Sequence, residues 1–254
     1  MAASRSQAVR LIAGGLRWRN GADWHVVGKN RDEVPESAEL ELSDAAEARY
    51  VSRGGLKLEG ALTVTGLDPR GRRCLDVGQS TGGFTDCLLQ RGAEHVVGVD
   101  VGHGQLHARV REDARVTAVE GVNARTLSAE AWEDAAPDDA EFGLIVSDLS
   151  FISLTLVLPA LVPFLAPGGD MLMLVKPQFE LQPGQVGKHG IVRDPALYDV
   201  VEQRLRAACA DLELHVKAWF DSPIAGGDGN REFFIHAVHA GGEPGAGRAP
   251  SAQL

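Results

Sequence analysis

Positions 74–86 read Cys-Leu-Asp-Val-Gly-Gln-Ser-Thr-Gly-Gly-Phe-Thr-Asp, and this run constrains the chain more than any other. Leu75 and Val77 flank Asp76 in a short apolar stretch. Glycine follows at 78, 82 and 83, and Phe84, Leu88 and Leu89 then recur at helical spacing. The pattern predicts a strand, a tight glycine turn and a helix. Glycine is needed where the backbone turns with positive φ or lets a ligand lie against the chain. In an open α/β sheet, ligands sit at the carboxyl ends of the strands, where strand order reverses. A second strand, His95-Val-Val-Gly-Val99, ends at Asp100, about 20 residues past the first glycine. An acid there suits a ribose diol.

Strand and helix patterns alternate onward. A helix with Leu56, Leu58 and Leu62 precedes the glycine turn, with Lys57 near its start, against the helix dipole. A third strand spans 115–120 and ends near Glu120 and Asn123, a polar end suited to an adenine or ribose. A fourth spans 141–147 and ends at Asp148. The apolar helix at 154–165 is expected to stop at Pro167-Gly168-Gly169. A fifth strand, 171–175, ends at Lys176. A loop with glycine and basic residues covers 184–193, and a helix covers 195–211. Segments 212–220 and 231–238 read as a closing antiparallel pair. The alternation implies a mostly parallel α/β sheet with helices on both faces and an antiparallel pair at its edge.

Residues 1–31 carry Arg5, Arg10, Arg17, Arg19, Lys29 and Arg31 against one acid, Asp23. A short helix around Ala8 to Ile12, two strands turning at Asn20-Gly21, and a small strand using Leu40 and Leu42 are expected. Such a basic surface suits phosphate contacts. Residues 32–47 reverse the sign, with seven acids and no base, and read in part as a linker. The net charge of −10 argues against nucleic acid only until its distribution is considered. Cys74, Cys87 and Cys209 form neither a metal pattern nor a disulfide framework. No segment is long and apolar enough to span a bilayer. With no apolar signal core at the start, a cytoplasmic location is expected.

Asp148 and Lys176 end neighbouring apolar strands, and Lys57 and Glu232 join them if the first helix and last strand lie alongside. Six stretches in order then resemble a known family: Ser52-Arg-Gly-Gly-Leu-Lys57, Leu75-Asp-Val-Gly-Gln-Ser-Thr-Gly-Gly-Phe-Thr-Asp86, Val99-Asp-Val-Gly-His-Gly-Gln105, Asp148-Leu-Ser-Phe-Ile-Ser153, Val175-Lys-Pro-Gln-Phe-Glu180 and Arg231-Glu232. They resemble the FtsJ-like RNA 2′-O-methyltransferases, and within them the TlyA-type ribosomal RNA enzymes, a family also called haemolysins. Residues 3–15 resemble the second half of an S4-type RNA-binding domain, whose usual first helix is missing.

The resemblance implies a Rossmann-like, S-adenosylmethionine-dependent methyltransferase sheet over residues 51–239. A partial S4-like domain at 1–45 and a linker at 46–50 would precede it, with a disordered tail at 240–254. It implies catalytic Lys57, Asp148, Lys176 and Glu232. S-adenosylmethionine would meet Gly78, Ser80, Thr81, Gly82, Gly83, Phe84, Asp100, Glu120, Asn123 and Asp148. Ribosomal RNA, at a cytidine ribose, would meet Arg5, Arg10, Arg17, Arg19, Arg53, Lys188 and Arg193. No metal and no membrane partner are implied. Lys176 would accept the hydroxyl proton, with Asp148 orienting the amine or the methyl donor and Glu232 holding Lys57. Two departures from the family stand out: Gln79 replaces the usual alanine, and the S4 region is short. The competing classes are an RNA-binding assembly factor, a membrane-active haemolysin and a small-molecule methyltransferase.

Overall fold

The structure is a computed structural model. It describes residues 8, 12, 16–21, 23–29, 31–42, 49–128, 141–226 and 229–239. Of the expected N-terminal helix only Ala8 and Ile12 are among them, both helical; Arg5, Arg10 and the tail at 240–254 lie outside them.

Near the N-terminus, β1 (Leu16–Asn20), β2 (Asp23–Val26) and β3 (Leu40–Leu42) form an antiparallel sheet of order β2-β1-β3. The Asn20-Gly21 turn joins the first two as the sequence predicts, with Gly21 at φ +64. The nearby acids do not stand apart from the basic strands. Arg17 meets Glu41 at 2.9 Å, and Arg19 meets Glu39 at 3.1 Å.

The larger sheet has seven strands. They are β4 (Arg73–Val77), β5 (His95–Asp100), β6 (Val116–Glu120), β7 (Phe142–Ser147), β8 (Leu165–Val175), β9 (Leu214–Asp221) and β10 (Phe233–His239). Their order is β6-β5-β4-β7-β8-β10-β9. The first five are parallel, and β10 is antiparallel to both β8 and β9. Strand order therefore reverses between β4 and β7, beside the glycine turn, where such a sheet leaves a crevice. The last strand lies inside the edge rather than on it. Its run Phe233-Phe234-Ile235 is buried on both faces, which suits an interior position.

The helices are α1 (Gly54–Thr65), α2 (Gly83–Gln90), α3 (Ala108–Arg111), α4 (Leu154–Leu161), α5 (Pro177–Glu180) and α6 (Ala196–Asp211). α1 and α2 cover one face through Leu58, Leu62, Phe84 and Leu88, and α4 and α6 cover the other through Val157, Leu161, Val201 and Leu205. Two boundaries differ from expectation. α4 ends at Leu161, and β8 begins at Leu165 and runs through Pro167-Gly168-Gly169 with a register shift. Pro163 lacks the N–H that would extend the helix, and the bulge lets the strand absorb the glycines. Tyr50, placed in the linker by sequence, is buried, and a Cβ on Gly55 would strike its side chain at 2.3 Å. The domain is thus already packed at Tyr50.

Candidate active site

The four charged residues expected to act together do meet. Lys57 Nζ lies 2.5 Å from Glu232 Oε2, and both side chains are buried. The pairing offsets the cost of a cation in the first turn of α1, which contains no acid. Lys176 Nζ lies 2.6 Å from Asp148 Oδ1 and donates to Ser150 Oγ at 2.9 Å. The Asp148 contact is a close charge pair. Burial pushes the Glu232 carboxyl above the usual carboxylate range. Lys57 and then Lys176 pull it back, and Asp148 pushes it up again. Glu232 therefore feels all three other members.

Beside this group lies a cavity of about 630 Å³, formed at the carboxyl ends of β4, β5 and β7. Of the residues expected at the donor, Gly78, Ser80, Thr81, Gly83, Phe84, Asp100, Asn123 and Asp148 line it. Asp100 braces it. Its Oδ2 accepts from Ser80 N and its Oδ1 from Gly102 N, both at 2.7 Å. The carboxylate thus ties the first glycine loop to the second.

Two residues expected at the donor serve elsewhere. Glu120 Oε1 accepts from Gly104 N and Arg111 Nη2 and does not line the cavity. Gly82 does not line it either; a Cβ there would meet Leu106 Cδ1 at 2.7 Å, so it makes room for the protein's own packing. Gly78 is needed at the floor, with φ +84 and the Asp148 carbonyl 2.8 Å from where a Cβ would stand.

Sequence reasoning missed three supporting groups. Asp76 is wholly buried, and burial pushes its carboxyl up to about 7 against the hydrogen bond from Thr85. Gln79 Nε2 donates to that same Thr85 hydroxyl at 2.9 Å, and its amide fills the space a Cβ on Gly98 would need. The chain's departure from alanine at 79 is therefore matched by glycine on the adjoining strand. Buried Glu180 accepts from Ser153 Oγ at 2.5 Å and Leu154 N at 2.7 Å. It joins the segment after Lys176 to the segment after Asp148, and its place in the Lys-Pro-Gln-Phe-Glu motif was the available signal.

At the mouth, Phe151 is 90 % exposed with φ +64. A bulky side chain in that conformation is strained, which points to a role. It leans on Phe179 with ring centroids 5.0 Å apart. Arg53 donates to Ala225 O at 3.2 Å and its Nε is buried. Lys188 and Arg193 are exposed and make no ion pair among the described residues. No metal-ligating cluster occurs among the described residues.

The part of the chain that builds this cavity and the charged set beside it is matched by a family model. The model of an FtsJ-like methyltransferase covers residues 50–239. The chain belongs to the FtsJ-like methyltransferase family. It is similar to the 16S/23S rRNA (cytidine-2′-O)-methyltransferase TlyA of Mycobacterium tuberculosis, at 43 % identity over 92 % of this chain and 84 % of that protein. It is also similar to Hemolysin A of Brachyspira hyodysenteriae, at 37 % identity over 92 % and 94 %. A solved "putative hemolysin" from Streptococcus thermophilus superposes with a TM-score of 0.75 at 39 % identity, covering 94 % of this chain and 84 % of that one. The family's match spans the seven-stranded sheet; the small N-terminal sheet lies outside it.

Proposed function

We propose that this chain is an S-adenosylmethionine-dependent methyltransferase acting on a ribose 2′-hydroxyl of ribosomal RNA, at cytidine. The observation that carries this reading is the meeting of the Lys57–Glu232 and Lys176–Asp148 pairs beside the cavity above Gly78. The similarity to TlyA supports the RNA substrate and the cytidine.

The cavity fits the donor. Gly78 and Gly83 line it without side chains, and Asp100 and Asn123 offer polar side chains along the wall. Asp100, Asn123 and the loop from Gly78 to Gly83 would hold S-adenosylmethionine, which supplies an activated methyl group on sulfonium.

The remaining chemistry belongs to the side chains. A ribose hydroxyl is a weak nucleophile while it keeps its proton. Lys176 Nζ, in its neutral form, accepts that proton, and Ser150 and Asp148 fix where Nζ points. Glu232 holds Lys57 and so keeps a second positive charge beside the hydroxyl as it becomes an alkoxide. Exposed Phe151 offers a ring on which an unstacked base can lie. Holding the reactants in line accounts for much of the acceleration, with effective molarities on the order of 10⁵ M in favourable cases.

The test is radiolabelled methyl transfer to ribosomal subunits that lack ribose methylation, followed by mass-spectrometric mapping. Label at a cytidine 2′-oxygen supports the reading. Donor binding with no label in RNA would replace it with an assembly role.

A further inference from the structure

Residues 181–193 form the loop that leaves α5 and carries Lys188 and Arg193. It contains only two short 3₁₀ turns, and its chain reverses at His189 and Gly190, which have φ +65 and +76. Such a segment has few backbone partners of its own and needs an external brace to keep one shape.

Asn230 supplies that brace. It is 2 % exposed and stands two residues before Glu232. Its Oδ1 accepts from Val192 N at 3.0 Å, and its Nδ2 donates to Gly190 O at 2.9 Å. A side-chain amide offers acceptor and donor side by side, so it pairs with the loop as a strand would. The Asn230 carbonyl also accepts from Gly226 N at 2.9 Å. The loop is thereby joined to the approach of β10, the strand that follows Glu232.

The next residue is anchored independently. Arg231 forks onto Asp221 at 2.6 and 2.8 Å and lies over the Phe233 and Tyr198 rings. Loss of the Asn230 amide would therefore free the loop at Gly190 while Glu232 stays against Lys57. The Tyr198 hydroxyl, which donates to Val192 O at 3.2 Å, retains the far end of the loop.

We propose that Asn230 is a positioning residue for the RNA substrate, clasping residues 187–193 so that Lys188 and Arg193 meet phosphates beside the tetrad. The proposal rests on the RNA-methyltransferase reading above. Asparagine serves here because it matches both an N–H and a C=O without adding charge to a basic loop.

The experiment measures methyl transfer to unmethylated ribosomal subunits by the full chain. Asn230→Ala is expected to raise KM for the subunits roughly tenfold, with kcat changed about twofold or less and donor affinity intact. The salt dependence of RNA binding should become shallower by ~1 in the log–log slope for each phosphate no longer engaged. In a Lys188→Ala/Arg193→Ala background, adding Asn230→Ala should raise KM no further, because the clasp acts through those two residues. Asn230→Asp keeps the acceptor for Val192 N but sets a carboxylate oxygen against Gly190 O, so a raised KM is expected there too. A fall in kcat at constant KM, or full additivity with the loop variants, would overturn the proposal. If Asn230→Ala does not fold, an unchanged KM in Asn230→Asp overturns it equally. Failure of the wild-type chain to label RNA would instead refute the underlying reading.

Discussion

The small antiparallel sheet and the loop at residues 187–193 both carry basic side chains, but only the sheet supplies counter-charges of its own. Arg17 and Arg19 lie against Glu41 and Glu39, and Arg17 also sits over the Trp24 ring. Lys188 and Arg193 face solvent without such partners among the described residues. A phosphate reaching the sheet must displace carboxylates already in place, whereas one reaching the loop displaces only water and loosely held counterions. Counting basic residues therefore overstates the uncompensated charge of the sheet relative to the loop. The Lys57–Glu232 pair is a third setting, in which the cation is paired and buried, so breaking the pair leaves a charge that water cannot reach.

The most damaging change should be at the proton acceptor. Lys176→Ala is expected to lower kcat by ~10² to 10⁴-fold while donor binding, read by calorimetry, persists. Near-wild-type turnover would remove Lys176 from the role.

The next contrast is between buried and exposed pairs. Glu232→Ala strands the Lys57 ammonium and should cost about 3–5 kcal/mol of stability. Glu41→Ala opens an exposed pair and should cost ~1 kcal/mol or less. Equal shifts in urea midpoints would erase the distinction between the two settings.

A smaller effect is expected at the far end of the sheet. Asp170 accepts from Arg72 at 2.7 Å and meets His236 Nε2 at 2.8 Å. Burial pushes its carboxyl up, but the hydrogen bonds and charges of His236 and Arg72 outweigh that and hold it below the usual range. The unfolded chain then binds this proton more readily than the folded one. Its contribution is present above the ordinary carboxylate pKa and is lost as pH falls through the depressed one. Asp170→Asn should flatten that part of the acid-unfolding curve.

The smallest effect belongs to the sheet's arginines. Exchanging Arg17 and Arg19 for glutamine should weaken RNA binding by about twofold, against roughly tenfold for Lys188→Ala with Arg193→Ala. The reverse ranking would restore the sheet as the main RNA surface.

Much of the site was legible because its signals are local. A glycine that must admit a neighbouring carbonyl, as Gly78 does for Asp148, leaves a mark in the sequence. So does an apolar strand that ends in a charge, as at Asp148 and Lys176. Asn230 left no such mark, because its partners Gly190 and Val192 contribute backbone groups that every residue possesses. Glu120 and Gly82 show a related ambiguity: an acid at a strand end and a glycine in a turn serve packing as readily as ligand binding. Likewise, Gln79 reads as an isolated departure from a family pattern until Gly98 is seen to yield the volume it occupies.

The sequence by itself determined the alternation of strands and helices, the glycine turn after β4 and the residue types available for chemistry. These follow from periodicity and from the few conformations that glycine and proline favour. Tertiary structure alone decided that β10 inserts between β8 and β9, which brings Glu232 to Lys57 across 175 positions of chain. It also decided which cations are neutralised and which remain open. Those outcomes depend on distances between residues remote in sequence, and neither hydrophobic period nor local spacing encodes them.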